Sequence, residues 1–454
     1  MCWPWSSTPG VDVRLASVSR LHRLAGLLLA LIAAVALTGC SDSSDSTSNE
    51  PVTLSYQDWR TDWFPPMARE MLSRFYAFNP NIIVFYTPDP DDLAEIMLEE
   101  MRAGTAPDVM QGCCSFFPIW AQEGHLLDLR PFIERDLDDE VLDDWDRAQF
   151  EALATPDGVQ YAVPKFHGAL ALYYNKDLFD AQGIPYPDDS WSQDEYLEAM
   201  RQLTLDSDGD GATDVWGGMV DVSWDRVQVH VNAWGGNIVD PASPTSCALD
   251  ETPALEAVEW LRARMWDDKV MATLLDVQNL STRDAFIEGK VATVEDGSWA
   301  LKDILDKAPF RVGVAPLPAG PAGRVTLATT DGFGIYAGTQ HPDEAWQLLK
   351  FLISDEYALA MARANLLQPA KASLVDDWAD MVRKEYPEAA AEMDIAAFAD
   401  GQVEGYSVTA EVFPNMADAR TLAYAAWDSI LTLGQGSVDQ MADVCARIEA
   451  AQPA

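Results

Sequence analysis

The sequence predicts an α/β fold in two domains, on three observations. β-prone and helix-periodic runs alternate from Val52 onward, 454 residues exceed what one hydrophobic core organises, and 48% apolar residues are enough to fill two. VTLSY (Val52 to Tyr56) is a short β-prone run, and from Trp63 to Phe78 the residues Phe64, Met67, Met71, Leu72, Phe75 and Phe78 recur at helical spacing. A strand at Ile82 to Tyr86, a helix at Asp91 to Arg102 and a strand at Asp108 to Gln111 continue the alternation, which implies a largely parallel sheet. A second set opens with VQYAVP at Val159 and ALALYY, followed by helices near Asn175 to Gln182, Gln193 to Leu203 and Ser223 to Trp234. Helices at Thr252 to Asp267 and Ser281 to Glu288, a strand at Val291 to Glu295, a β-rich stretch from Phe310 to Ala337 and a helix within His341 to Arg363 come next. Ala372 to Ala451 reads as mostly helical.

Charge and motifs narrow the function. With 30 Lys plus Arg against 73 Asp plus Glu, the net charge of -43 repels nucleic acid phosphates, so no nucleic acid partner is expected. Gly-x-Ser-x-Gly, His-Glu-x-x-His and a phosphate loop ending in Gly-Lys-Ser/Thr are all missing, and His125, His167, His230 and His341 stand at no metal-ligand spacing. No enzyme is expected.

Arg14, Arg20 and Arg23 precede an apolar run from Leu24 to Leu37 that ends in Leu-Thr-Gly-Cys at Cys40. The run is shorter than the roughly 20 apolar residues of a membrane-spanning helix, and it reads as an export signal. Its end resembles a bacterial lipobox, which implies that residues 1–39 are removed and that Cys40 carries a lipid. Residues 40–51 are then a polar, flexible tether. Cys113, Cys114, Cys247 and Cys445 remain in a compartment where disulfides persist, with three pairings formally open.

Asp206, Asp208, Asp210 and Asp214 repeat oxygen ligands at alternate positions, with Gly211 where a calcium loop needs its sharp turn. The twelfth position is Gly217 instead of Glu. A structural Ca2+ and a metal-free Asx-rich turn are both open readings.

Several spaced motifs resemble one family. APDVM (Ala106 to Met110), GVQYAVP (Gly158 to Pro164), ALYYNKDLFDAQGIP (Ala171 to Pro185), AFIEGKVATVEDGSW (Ala285 to Trp299), VGVAPLPAG (Val312 to Gly320) and the run Asp331 to Ser354 resemble, in order, the sugar-binding extracellular solute-binding proteins of ABC transporters, the maltose-binding group among them. The resemblance implies a two-lobed periplasmic-binding-protein fold with discontinuous lobes joined by hinge crossovers. It divides the chain into an N-terminal lobe of residues 52–163 with 313–365 and a C-terminal lobe of 164–312 with 366–454. The crossovers fall near Val163 and Pro164, Phe310 to Val314, and Asn365 to Pro369.

The same resemblance implies a ligand site at strand ends facing the crevice between lobes. A sugar there needs aromatic platforms and planar hydrogen-bonding groups. Trp59 and Arg60 follow the first strand; Cys113, Cys114, Ser115 and Phe116 follow the third; His167 follows the first crossover. Trp224, Asp225 and Arg226 open a helix, and Trp234 precedes a Gly-Gly turn. Trp299 follows a strand as the stacking aromatic, Asp331 and Gly332 precede GFGIYA, and Phe413 begins a late turn. Cys113 with Cys114 falls in one lobe and Cys247 with Cys445 in the other, so this pairing is favoured. Neighbouring Cα atoms about 3.8 Å apart would strain a vicinal bridge. The implied function is a monomeric, lipid-anchored substrate-binding component of an ABC importer. It would lie in the periplasm or on the outer face of the cytoplasmic membrane, delivering a neutral mono- or oligosaccharide to a permease. A polyamine or glycerol phosphate ester is the alternative ligand.

Overall fold

The computed structural model describes residues 51–452, residue 156 excepted; the export signal, Cys40 and the tether lie outside the described residues. Two mixed sheets, each flanked by helices, organise the chain. The first contains β1 (Val52–Asp58), β2 (Ile82–Pro88), β3 (Val109–Gly112) and β4 (Ala162–Pro164). The second contains β5 (Leu170–Asn175), β6 (Gly218–Met219), β7 (Met271–Ala272), β8 (Thr293–Gly297) and β9 (Val312–Ala315). After β10 (Thr326–Leu327) the chain returns to the first sheet as β11 (Gly332–Ile335), and β12 (Ser407–Val408) pairs with β10.

The strand orders are β2-β1-β3-β11-β4 and β7-β6-β8-β5-β9. β1 runs parallel to β2 and β3, as the alternation predicts, but β11 is antiparallel to both β3 and β4. β5 is likewise antiparallel to β8 and β9. Each sheet is therefore mixed, because β11 in the first and β5 in the second enter from the opposite lobe with no crossover helix to turn them round.

The second crossover is corrected by the same pairing. Val312 to Val314, expected where the chain changes lobe, are hydrogen-bonded to β5 within the second sheet. The apolar run VGVA is wholly buried there and completes that sheet's edge. The chain changes lobe at Thr329 to Asp331 instead: Ala328 still bridges Ala169, whereas Asp331 O accepts the Lys165 amide at 3.0 Å. Beside it run the outgoing segment after Pro164 and the last crossover, where Phe166 bridges Pro369 and His167 N donates to Gln368 O.

Helices form where the sequence gives both a buried stripe and a defined start. Phe64–Phe78 begins with prolines in its first turn, where their missing N–H groups cost nothing, and buries Phe64, Met67, Met71 and Phe75. Gln193–Leu203 starts with a reciprocal Ser192 and Glu195 capping box.

Cys247 and Cys445 form a disulfide that pins the final helix, Met441–Ala451, to the second lobe. It closes a separation of 198 residues. Replacing both with alanine should cost about 2–5 kcal/mol of stability, read as a lower denaturant midpoint at unchanged slope. A midpoint that does not move would show that helix packing alone holds the tail.

Candidate functional site

A cavity of about 230 Å³ opens between the lobes. The first lobe contributes Cys114, the crossover contributes Thr329 to Asp331, and the second lobe contributes most of the rest, including Asp221, Trp224 to Arg226, Arg283, Asp296, Trp299, Arg420 and Tyr424.

Local structure places these groups. Ser281 caps the helix Thr282–Ile287, setting Arg283 in the first turn, where its Nε donates to Asp296 Oδ2 at 2.8 Å. Asp296 is the penultimate residue of β8 and also accepts the amide of the last, Gly297, at 2.7 Å. Burial opposes its ionisation, but Arg283, then Arg226 and the Gly297 N–H, outweigh burial and hold the carboxyl below its usual range. Trp299 follows at once, 6% exposed, with the Arg226 guanidinium 5.4 Å from its ring centre. Its indole fits only because two neighbours lack side chains: a Cβ on Gly297 would come within 2.2 Å of the ring, and one on Gly168 within 2.7 Å. Trp224 is fixed from behind, its indole N–H donating to Glu411 O at 2.9 Å and its backbone N–H to the Tyr424 hydroxyl at 3.1 Å. Glu411 in turn accepts the Ile238 and Val239 amides and Asn232.

Two carboxylates differ from Asp296. Oδ1 of Asp225 and Oδ1 of Asp331 are buried without a hydrogen-bond partner, as is Nε of Arg226. Burial first, then the nearby Cys114 thiol, pushes the Asp225 carboxyl up to about 7. Burial likewise raises Asp331 to about 6.

The expected residues divide. Cys114, Trp224, Asp225, Arg226, Trp299 and Asp331 meet at the cavity. Trp59 instead lies in the first lobe's core, edge-on to Phe64 and Phe166, with the Lys165 ammonium 3.3 Å from its ring centre. Arg60 pairs with Asp91 on the surface. Cys113 is buried with its sulfur 2.8 Å from that of Cys114, too far for the favoured vicinal disulfide, which the structure does not form, and the Cys114 φ of 56° is rare for a side-chain-bearing residue. Phe116 packs 5.0 Å from Trp120, and the Ser115 side chain lies outside the described residues. His167 is buried with Nε2 3.7 Å from Asp146. Trp234 packs at a tilt against His230 and Trp260, Gly332 pairs with Gly112 and Pro164, and Phe413 packs on Trp224 while its carbonyl accepts Gln122 of the other lobe at 3.0 Å. Asp221, Arg283, Asp296, Arg420 and Tyr424 were not anticipated. Only the position of Asp296 near a strand end signalled its place.

Of the calcium-loop residues, Asp206, Asp208 and Asp210 bring carboxylate oxygens within 4.8 Å of one another. Asp214 stands outside this trio, accepting the Ser207 amide at 2.7 Å.

Polar atoms buried without partners, in a cavity where two lobes meet, define a receptor that completes its hydrogen bonding with a small polar solute. The chain belongs to the bacterial extracellular solute-binding protein family, whose sequence pattern matches residues 58–359. It is 25% identical to the maltodextrin-binding protein MdxE of Bacillus subtilis over 346 residues, 74% of this chain and 77% of that protein. Its fold superposes on the ABC substrate-binding protein Lmo0181 of Listeria monocytogenes, solved with cycloalternan, at TM-score 0.74, 22% identity and coverage of 88% and 98% of the two chains. UgpB of Mycobacterium tuberculosis, solved with glycerophosphocholine, gives TM-score 0.72, 20% identity and coverage of 88% and 98%. Among the described residues no helix is long and apolar enough to cross a membrane.

A ligand that donates hydrogen bonds to Asp225 and Asp331 favours their charged forms, so binding and protonation compete. Arg226, Cys114, Tyr424 and Asp331 face Asp225, and Lys165 and Cys114 face Asp331. Because both pKa values are raised in the folded protein, these groups make the ligand-free form lose stability as pH rises through about 4 to 7. Ligand affinity should run the opposite way, strengthening from pH 5.5 to 8 in calorimetric titrations. A flat profile would remove these two carboxylates from the contact.

Proposed function

We propose that the protein captures a mono- or oligosaccharide between its lobes and presents the closed form to an ABC permease, held at the membrane as a monomer by lipid on Cys40. The observation that carries this reading is the cavity itself: it is lined by Trp224 and Trp299 beside Asp225, Asp331 and Arg226, whose buried Oδ1, Oδ1 and Nε atoms lack partners. Sugar rings offer an apolar face to such indoles and hydroxyls that both donate and accept. Relatives named for maltodextrin, arabinooligosaccharide and diacetylchitobiose binding support the class.

A thermal-shift screen of the purified protein against saccharides, polyamines and glycerol phosphodiesters tests it. A ligand at about 100 times its dissociation constant adds roughly 2.7 kcal/mol, a shift of a few degrees. Stabilisation by glycerol phosphodiesters alone would overturn the saccharide reading.

The loop at Asp206, Asp208 and Asp210 is proposed to hold a structural Ca2+. The two Asp206 oxygens accept the Gly209 and Gly211 amides, which hold that carboxylate so that one oxygen each from Asp206, Asp208 and Asp210 lies within 4.8 Å of the others. Chelation with EGTA should lower the melting temperature, and added CaCl2 should restore it. A melting curve insensitive to both returns the loop to a metal-free turn.

A further inference from the structure

We propose that the captured saccharide carries a protonated amine lodged against Asp225 and Asp331. The inference rests on the saccharide reading and adds a positive charge to the ligand.

The charges lining the cavity are unevenly matched. Four aspartates, Asp221, Asp225, Asp296 and Asp331, face three arginines, Arg226, Arg283 and Arg420. Arg283 is bonded to Asp296, and Arg226 approaches the same Asp296 at 3.9 Å while lying over Trp299. Arg420 lies over Tyr424, 5.3 Å from its ring centre. Protein cations thus gather on Asp296 and on aromatic faces. Among the described residues, no Lys, Arg or His nitrogen lies within 4.0 Å of a carboxylate oxygen of Asp225 or Asp331. Lys165, the cation on the crossover nearest Asp331, is bonded to Asp58 instead.

Two carboxylates that face each other's field inside one cavity, each with a buried Oδ1 lacking a partner, form an acceptor site short of one cation. A sugar hydroxyl would satisfy one lone pair and leave the charge. An ammonium supplies three donors and the charge together, making charge-assisted bonds stronger than a hydroxyl can. Trp224, Trp299 and Tyr424 also line the cavity, and aromatic rings attract a cation as well as a pyranose. Burial holds both carboxyls above their usual pKa range, and a cation placed against them would favour their charged forms. An amine would reach the site on an amino sugar or on a polyamine; relatives named for saccharide binding favour the sugar.

Isothermal titration of the purified protein at pH 7 with glucosamine, galactosamine, the chitosan disaccharide, their N-acetyl forms, the parent neutral sugars and spermidine decides between them. The expected result is that one amine-bearing sugar binds at least roughly tenfold more tightly than its N-acetyl and neutral counterparts. Asp225→Asn and Asp331→Asn should each collapse that preference; the wild-type comparison stands even if a variant fails to fold. A neutral or N-acetylated sugar binding as tightly as its amine overturns the proposal and leaves the saccharide reading intact. Spermidine binding alone keeps the ammonium and overturns the sugar. Silence across the panel counts against both.

Discussion

Trp299→Ala is expected to weaken ligand binding by at least about tenfold, or 1.4 kcal/mol, measured by calorimetry on protein whose circular dichroism is unchanged. The ring lines the cavity, has the Arg226 guanidinium 5.4 Å from its centre, and has Phe166 edge-on at 6.4 Å. Removing it takes away the ligand's flat apolar surface and the partner that holds the Arg226 guanidinium in place. Gly297→Ala is the independent control, because the new methyl group must displace the same indole without deleting it. Both variants should lose affinity, the alanine at 299 more severely. Wild-type affinity in both would move the binding surface elsewhere in the cavity.

The larger effect on stability belongs to Lys165→Met, expected to cost about 3–5 kcal/mol in denaturant unfolding. Lys165 and Asp58 form an ion pair in which both side chains are fully buried. Tyr56 donates to Asp58, which also accepts the Trp59 amide at 2.7 Å, and Tyr357 lies 3.2 Å from the Tyr56 hydroxyl. Burial raises the Asp58 carboxyl and depresses the Lys165 ammonium, with their mutual attraction opposing both. Methionine takes the ammonium away from the Trp59, Phe64 and Phe333 rings around it and leaves Asp58 buried with its cation gone. The paired change Lys165→Met with Asp58→Leu should recover part of the loss, since a buried pair costs more to break than to replace. Equal losses in the single and double variants would show that packing, not charge, dominates there.

Strand ends were legible in the sequence, and they located half of the site. Trp299 and Asp331 adjoin strand ends, and Trp224 to Arg226 open a helix entering the cleft; periodicity and turn residues reveal such places. Trp59 follows a strand end as well, yet the crossover residues Phe166 and Lys165 fold over it and bury it. Position along the chain says where a strand stops but not which later segment covers that end. The same limit hid Arg283, Arg420 and Tyr424, which reach the cavity from helices whose orientation depends on packing between distant segments. The crossover at Thr329 to Asp331 was misplaced because VGVA reads equally well as an edge strand of either sheet; only its pairing with β5 decides.

The insertion of β11 between β3 and β4 also sets an order of assembly. A chain emerging from its amino end presents β1 to β4 early, but their sheet lacks its central link until residues 332–335 arrive. All five strands of the other sheet lie between residues 170 and 315, so that sheet can close first. The sheet of the lobe that begins the sequence is thus the later of the two sheets to close, and its exposed strands need protection from mispairing while the chain is threaded out of the cell.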